Sequence, residues 1–239
     1  VHKTIVAFVV ALFVTTAAGE VVERPVIKPN DSWTYTNTIE KNAGWRQTHD
    51  EITVVRANET EILVTIQEAG SKIPPKEQLT GPDWSRFRSV NGHEKVVNRP
   101  FTFPLSPGKT WELEYTEDHP NREYLRQQFH SNYKVVGWEQ VKVPAGTFLA
   151  LKIEAQGQWT ADLAPSVSAS ASTRVDNAGS ISVTRANKSA AQTATGRTYK
   201  AFWYVPEVKR YVKTVEEYFG PDGVRNERYS YELDSFKVQ

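Results

Sequence analysis

The sequence predicts an all-β protein: a strongly curved antiparallel sheet, or an open, incomplete barrel, with one protruding Ser/Ala-rich polar hairpin or loop. Three observations carry this. Apolar and polar residues alternate over short runs along most of the chain, the period of half-buried strands. Clusters of Gly, Pro, Asn and Asp separate those runs. No apolar pattern of helical period lasts more than a few turns, and there is no fixed-period repeat.

Residues 1–19 read as a secretory signal peptide. His2 and Lys3 form a short basic start, and Ile5 to Val14 is an apolar run of h-region length. Ala17-Ala18-Gly19 then offers small residues for cleavage before Glu20. The run falls short of the ~20 apolar residues that a membrane span needs. The expected organisation is a cleaved leader and one β domain over 20–239, periplasmic or secreted, with no transmembrane segment after cleavage.

Asn30-Asp31-Ser32 signals a turn into Trp33–Ile39, whose rings fall on one strand face. Arg46–Val55 and Glu61–Ile66 continue as a meander, with Ala57-Asn58-Glu59 between them. From Gly70 to Pro104, Pro and Gly break the pattern. Within that stretch Asn91-Gly92 separates Arg88–Val90 from Glu94–Val97, which predicts a tight hairpin with a type I′ turn. A Pro-Gly turn leads into Trp111, Leu113 and Tyr115, which alternate with Glu112 and Glu114. Tyr124–Trp138 reads as strand, with a short helix around Asn121–Gln128 as an alternative because Leu125 and Phe129 are four apart.

The clearest hairpin follows. Val141 and Val143 alternate with Gln140 and Lys142, and Leu149, Leu151 and Ile153 with Ala150, Lys152 and Glu154. Pro144-Ala145-Gly146 between them suits a three-residue loop: a type I turn closed by a left-handed glycine. Ala161–Arg197 is a low-complexity insertion of Ser, Ala, Thr, Gly and Asn. Its alternation over Val167–Val175 and Ile181–Val183, about the turn Asp176–Gly179, favours a polar hairpin over a linker. Thr198–Val205, a turn at Pro206-Glu207, Val208–Val215, a turn at Gly220–Gly223 and a last strand bearing Tyr229, Tyr231 and Leu233 complete the chain. About ten strands are expected.

At 239 residues the chain is long enough for a core that needs no covalent staple. Cysteine is absent, which removes disulfides, thiolate zinc sites, a cysteine nucleophile and lipidation at a cysteine of this sequence. There are 29 Lys+Arg and 28 Asp+Glu, and loss of the leader removes only Lys3, leaving 28 of each. That balance gives no long-range attraction for nucleic acid.

Three blocks resemble a group of exported bacterial proteins classed as a domain of unknown function. They are Phe103–Trp111, Val141-Lys-Val-Pro-Ala-Gly-Thr-Phe148, and Trp203-Tyr-Val-Pro-Glu-Val-Lys-Arg-Tyr-Val-Lys213. The family's marks are a Val-Pro-Ala-Gly-Thr-Phe hairpin and a Trp-Tyr-x-Pro-Glu-Val return strand. The resemblance covers roughly Trp33 to Phe219 apart from the insertion. It implies a curved antiparallel sheet or incomplete barrel, and it carries over no mechanism.

The residues themselves offer little chemistry. His49, His93, His119 and His130 lack a His-x-His or His-x-x-x-His spacing, and neighbours along a strand point to opposite faces. No metal site, phosphate loop, cofactor motif or Gly-x-Ser-x-Gly elbow is present. The aromatics say more: Trp33, Trp45, Trp84, Trp111, Trp138, Trp159 and Trp203 read first as core, and secondly as the lining of a cleft. Trp84, Arg86, Arg88, Trp111 and Trp203 are the candidate ligand-binding residues. The leading expectation is a non-enzymatic envelope protein holding a hydrophobic or carbohydrate ligand, or an envelope protein, in its concave face. Alternatives are a hydrolase of envelope polymers using carboxylates such as Glu112, Glu114 or Asp118, and an assembly protein using the 161–197 hairpin.

Overall fold

A computed structural model describes residues 21–239 apart from 42, 165–166, 177–178 and 189–191. Within Val167–Asp176 and Gly179–Lys188 it describes the backbone alone. The expected leader lies outside the described residues.

Two meanders make the protein. The first is β1 (Ser32–Lys41), β2 (Gly44–Ala57), β3 (Ile62–Glu68), β4 (Lys76–Thr80), β5 (Arg86–Val90) and β6 (His93–Asn98). The second is β7 (Thr110–Asp118), β8 (Tyr124–Val143), β9 (Gly146–Leu163), β12 (Gln192–Val205), β13 (Arg210–Phe219) and β14 (Arg225–Lys237). Between β9 and β12, β10 (Val167–Asp176) and β11 (Gly179–Lys188) pair with each other as a two-stranded sheet, the hairpin that the alternation predicted. The meanders join through an antiparallel ladder of β1 with β14, giving one twelve-stranded sheet in the order 6-5-4-3-2-1-14-13-12-9-8-7.

That sheet curls into a nearly closed barrel with one unsealed seam, where β6 approaches β7 without a ladder. Side chains clasp the seam instead. Arg88 pairs with Glu117, and Asn91 donates from Nδ2 to Asp118 Oδ2 (3.1 Å) while its Oδ1 accepts from Asp118 N (2.8 Å).

The connection from β6 to β7 turns into the barrel as a plug. Phe101 and Leu105 are fully buried, the Phe101 ring lies 4.9 Å from that of Tyr204, and Leu105 exchanges two backbone hydrogen bonds with Val22. Around this plug the inner faces of the strands supply Trp33, Tyr35, Val54, Ile62, Leu151, Ile153, Phe202 and Leu233, all nearly inaccessible. Three polar tips among the core rings find backbone partners, as burial favours. Trp33 Nε1 donates to Val208 O (2.8 Å), Trp84 Nε1 to Lys209 O (3.1 Å) and Tyr35 OH to Tyr211 O (2.7 Å). The first two acceptors belong to the tight link between β12 and β13, a 3₁₀ turn over Pro206–Val208 that ends on left-handed Lys209, and the third lies just beyond it at the start of β13.

Several local expectations stand, and others are corrected. Asn91 and Gly92 have φ of 52° and 77° and link Val90 to His93, the geometry of a type I′ turn. The Pro144-Ala145-Gly146 loop is shorter than expected: Val143 pairs with Gly146, so two residues make the connection, and Gly146 begins β9 at φ 140°. There is no helix around Asn121–Gln128, because β8 starts at Tyr124. A spacing of four fits the strand period as well as the helical one, and Leu125 sits exposed at a register shift in the ladder with β9. The barrel has twelve strands rather than about ten: β5 and β6 are the expected hairpin about Asn91-Gly92, and β4 is a short strand that the Pro- and Gly-rich stretch hides.

Asp31 ties the two ends of the described chain together. It is fully buried, and its carboxylate accepts from Lys28 N (3.0 Å), Lys209 Nζ (3.0 Å) and Gln239 N (2.8 Å). Removing one member of a buried ion pair leaves the other desolvated and unpaired. Asp31→Ala is therefore expected to lower the unfolding free energy by about 3 kcal/mol, read in urea as an earlier midpoint at unchanged slope.

Candidate functional site

Rings fill one end of the barrel, and the other end is hollow. Cross-strand rows explain the difference. Along the inner face, Val135, Ile153 and Phe202 stand side by side and fill their level. Two residues along each strand the row is Tyr133, Ala155 and Lys200, and two further it is Ser131, Gly157 and Thr198. A Cβ at Gly157 would run into the Ser131 and Thr198 hydroxyls and the His130 carbonyl. Three adjacent strands thus present their smallest side chains at one level, and space opens in front of them.

The space is a cavity of about 530 Å³, within the size range of small-molecule sites. Leu113, Tyr115, Phe129 and Tyr218 supply rings and an aliphatic wall; Lys76, Arg86, Arg88 and Lys200 supply charge. A smaller cavity of about 130 Å³ lies behind it and shares Gln78 and Arg86 with it. Arg86 is surrounded by the barrel yet keeps an exposed surface, because it faces the cavity.

A buried polar network supports the back of the hollow. Lys200 Nζ lies 3.5 Å from Glu216 Oε2 and 3.4 Å from Asn98 Oδ1. Tyr133 OH donates to that same Asn98 oxygen (3.0 Å), and Tyr218 OH donates to Glu216 Oε2 (3.1 Å). Burial pulls the Lys200 ammonium below its usual range, against the attraction of Glu216. Burial pushes the Glu216 carboxyl upward, but Lys200 and Arg86 outweigh it and hold the group below the usual carboxylate value. Burial drives the Tyr218 and Tyr133 phenols upward, with Glu216 adding to the effect, so both remain donors at neutral pH.

The five expected ligand residues separate. Arg86 and Arg88 line the cavity together. Trp84 is buried in the ring-filled half, edge-on to Trp33 at 5.3 Å, with the Arg210 guanidinium 4.4 Å from its ring centre; it borders only the smaller cavity. Trp111 stacks on Tyr133 at 5.3 Å and donates to Arg99 O (3.0 Å), beside the seam. Trp203 stands with Lys152 and Lys213 near its ring and donates to Glu139, away from the cavity. Lys76, Leu113, Tyr115, Phe129, Lys200, Glu216 and Tyr218 were missed. Their signal is the register that brings them to one level, and a single sequence does not display register.

Other candidates lie apart from the hollow. Glu112, Glu114 and Asp118 are exposed on β7. His49 pairs with Asp234 at 3.0 Å among exposed side chains, and His93 and His119 are exposed. Among the described residues no group of three or more His, Cys, Asp or Glu could hold a metal ion. An outer groove of about 560 Å³ is lined by His130, Gln156, Gln158, Arg197, Tyr199 and Glu217 among others, side chains that ordinary solvation of a sheet face accounts for. No helix among the described residues is long and apolar enough to cross a membrane, which says nothing of strands.

No protein-family model and no curated protein matches the chain, so the resemblance of the three sequence blocks has no family model behind it. Solved structures do match. One is a Bacteroides fragilis protein assigned by inference as exported, with a YmcC-like fold: 15% identity, 90% of this chain and 99% of that chain covered, TM-score 0.43. Another is a Parabacteroides distasonis protein assigned by inference as a lipoprotein: 15% identity, 91% and 100% covered, TM-score 0.45.

The network makes a pH prediction. The folded Glu216 carboxyl titrates below its ordinary 4.5, so the unfolded chain takes up that proton first. The stability it contributes is complete above pH 4.5 and is lost as pH falls below it. Glu216→Gln should cost about 3 kcal/mol at pH 7, because Lys200 stays buried without its counter-charge. The variant should also show a shallower loss of stability below pH 4.5 than the parent, measured by urea titrations across the acid range.

Proposed function

We propose that the protein is a non-enzymatic binding protein of the bacterial envelope that takes a small ligand into the hollow half of its barrel. The observation that carries this is the cavity of about 530 Å³, which lies inside the sheet beside an unsealed seam and is walled by Leu113, Tyr115, Phe129 and Tyr218. Packed interiors hold few voids larger than a water molecule. A space of this size, set against a row of small residues, is a site rather than a packing fault. The seam, closed by side chains instead of a ladder, is the natural way in. The leader expected over residues 1–19 supports an extracytoplasmic setting.

A neutral naphthylamine dye that brightens in apolar surroundings is the direct probe. Its emission should rise on addition of the protein. Leu113→Trp, which fills the hollow from a half-buried position, should weaken dye binding at least about tenfold, roughly the value of losing apolar burial on this scale. A parent protein that leaves the dye dark, or a filled variant that binds it equally well, would remove the reading.

A further inference from the structure

We propose that the ligand of the hollow is an amphipath with an oxyanion head, a carboxylate or a phosphate, seated against Arg86 and Lys76 with its apolar part over Leu113, Tyr115 and Phe129. This rests on the binding function proposed above and specifies its ligand. The first support is the sign of the lining. Lys76, Arg86, Arg88 and Lys200 face the larger cavity, and no carboxylate is among its lining residues. The chain as a whole is balanced, with 29 basic and 28 acidic residues, so this concentration of one sign is local.

The second support is which of these cations already have partners. Arg88 is answered by Glu117 across the seam, and Lys200 by Glu216 and Asn98 behind the cavity. Among the described residues Arg86 and Lys76 make no side-chain hydrogen bond or ion pair. Arg86 is the telling one: it is crowded by the barrel yet open to the cavity, so it loses part of its hydration, at a cost, and still presents its guanidinium to the space in front. Glu216 lies in the smaller cavity, behind Arg86, and offsets part of that cost at a distance without bonding to it. The five N–H donors of Arg86 therefore remain free for an acceptor arriving from the front, and a planar oxyanion suits that fork. The Tyr115 phenol, raised by burial, keeps its proton and is a further donor on the same wall. The apolar side chains of that wall account for the rest of the ligand, since they would gain nothing from a free inorganic ion.

The test is calorimetric titration of the whole protein with dodecanoate, dodecyl phosphate, dodecanol and a dodecyl trimethylammonium salt, all below micelle formation, and with acetate and inorganic phosphate as heads without tails. One or both of the anionic amphipaths should bind about tenfold to a hundredfold more tightly than dodecanol, the range for hydrogen bonds to a charged group. Which of the two is preferred identifies the head. Arg86→Gln should remove that preference and leave dodecanol binding where it was. Lys76→Gln, on an exposed position of β4, should reduce it with no risk to the fold, and unchanged thermal melts would confirm both variants. Equal binding of anion, alcohol and ammonium overturns the proposal while leaving the binding function intact. Equal binding of inorganic phosphate or acetate without a tail also overturns it. If no amphipath binds and the neutral dye stays dark as well, both readings fall together.

Discussion

The ladder between β1 and β14 pairs Ser32 with Lys237 and runs to Lys41 with Glu227, joining segments almost a chain length apart. Every other neighbour in the large sheet except β9 with β12 is a sequential hairpin or meander pairing, formed locally. Without the terminal ladder the chain is two half-sheets, each with an exposed apolar face and two free edges. Loop closure over such a span costs entropy that grows slowly with length. That cost is met by contacts that only the closed form makes: Trp33 on β1 reaching Val208 in the Pro206–Val208 link, Tyr35 reaching Tyr211 on β13, and Asp31 holding both Lys209 and the last residue. Closing at the termini also decides where the barrel stays open. The edges left in the twelve-stranded sheet are β6 and β7, which are consecutive in sequence, and the segment between them is occupied as a plug inside the barrel.

The plug divides the interior. Phe101 and Leu105 descend among the rings at one end and are fully buried there. Among the described residues nothing comparable enters the other end, where the rows descend in size from Val135-Ile153-Phe202 to Ser131-Gly157-Thr198. The question of whether the concave face is filled by its own aromatics or left empty thus has a split answer. Trp33 and Trp84 serve the filled half, and the hollow half is walled by Tyr, Phe and Leu with cations between them.

Much of the architecture was legible because its causes are local. Alternation located β1, β7 and the paired β8 and β9, and Asn91-Gly92 fixed a turn whose positive φ values only such residues adopt readily. Alternation also found the hairpin of β10 and β11, despite a composition that reads as linker. Legibility failed where causes are long-range. Leu125 and Phe129 satisfied two periods at once, and only the partner strand decides between them. In the site, Arg86 and Arg88 were found because they alternate beside a Trp in a broken stretch. Trp203 was drawn in by composition alone, and Lys200 and Glu216 were overlooked as ordinary strand charges. Their meaning comes from facing each other across the β12–β13 ladder on an inner face, a fact of register.

The energetics of that pair are not those of an interior arranged for stability alone. Replacing buried ion pairs by apolar residues of similar volume is often neutral or stabilising, so a barrel selected only to fold would tend to fill this level as it fills the level above. Instead the protein holds Lys200 and Glu216 inside the sheet with Asn98, Tyr133 and Tyr218 satisfying them, and sets Arg86 in front with no partner of its own. A satisfied network behind a cation without a protein partner has a clear physical consequence. The rear groups fix the position of charge while the front group remains available, and this is the arrangement a site needs if it is to be rigid before its ligand arrives.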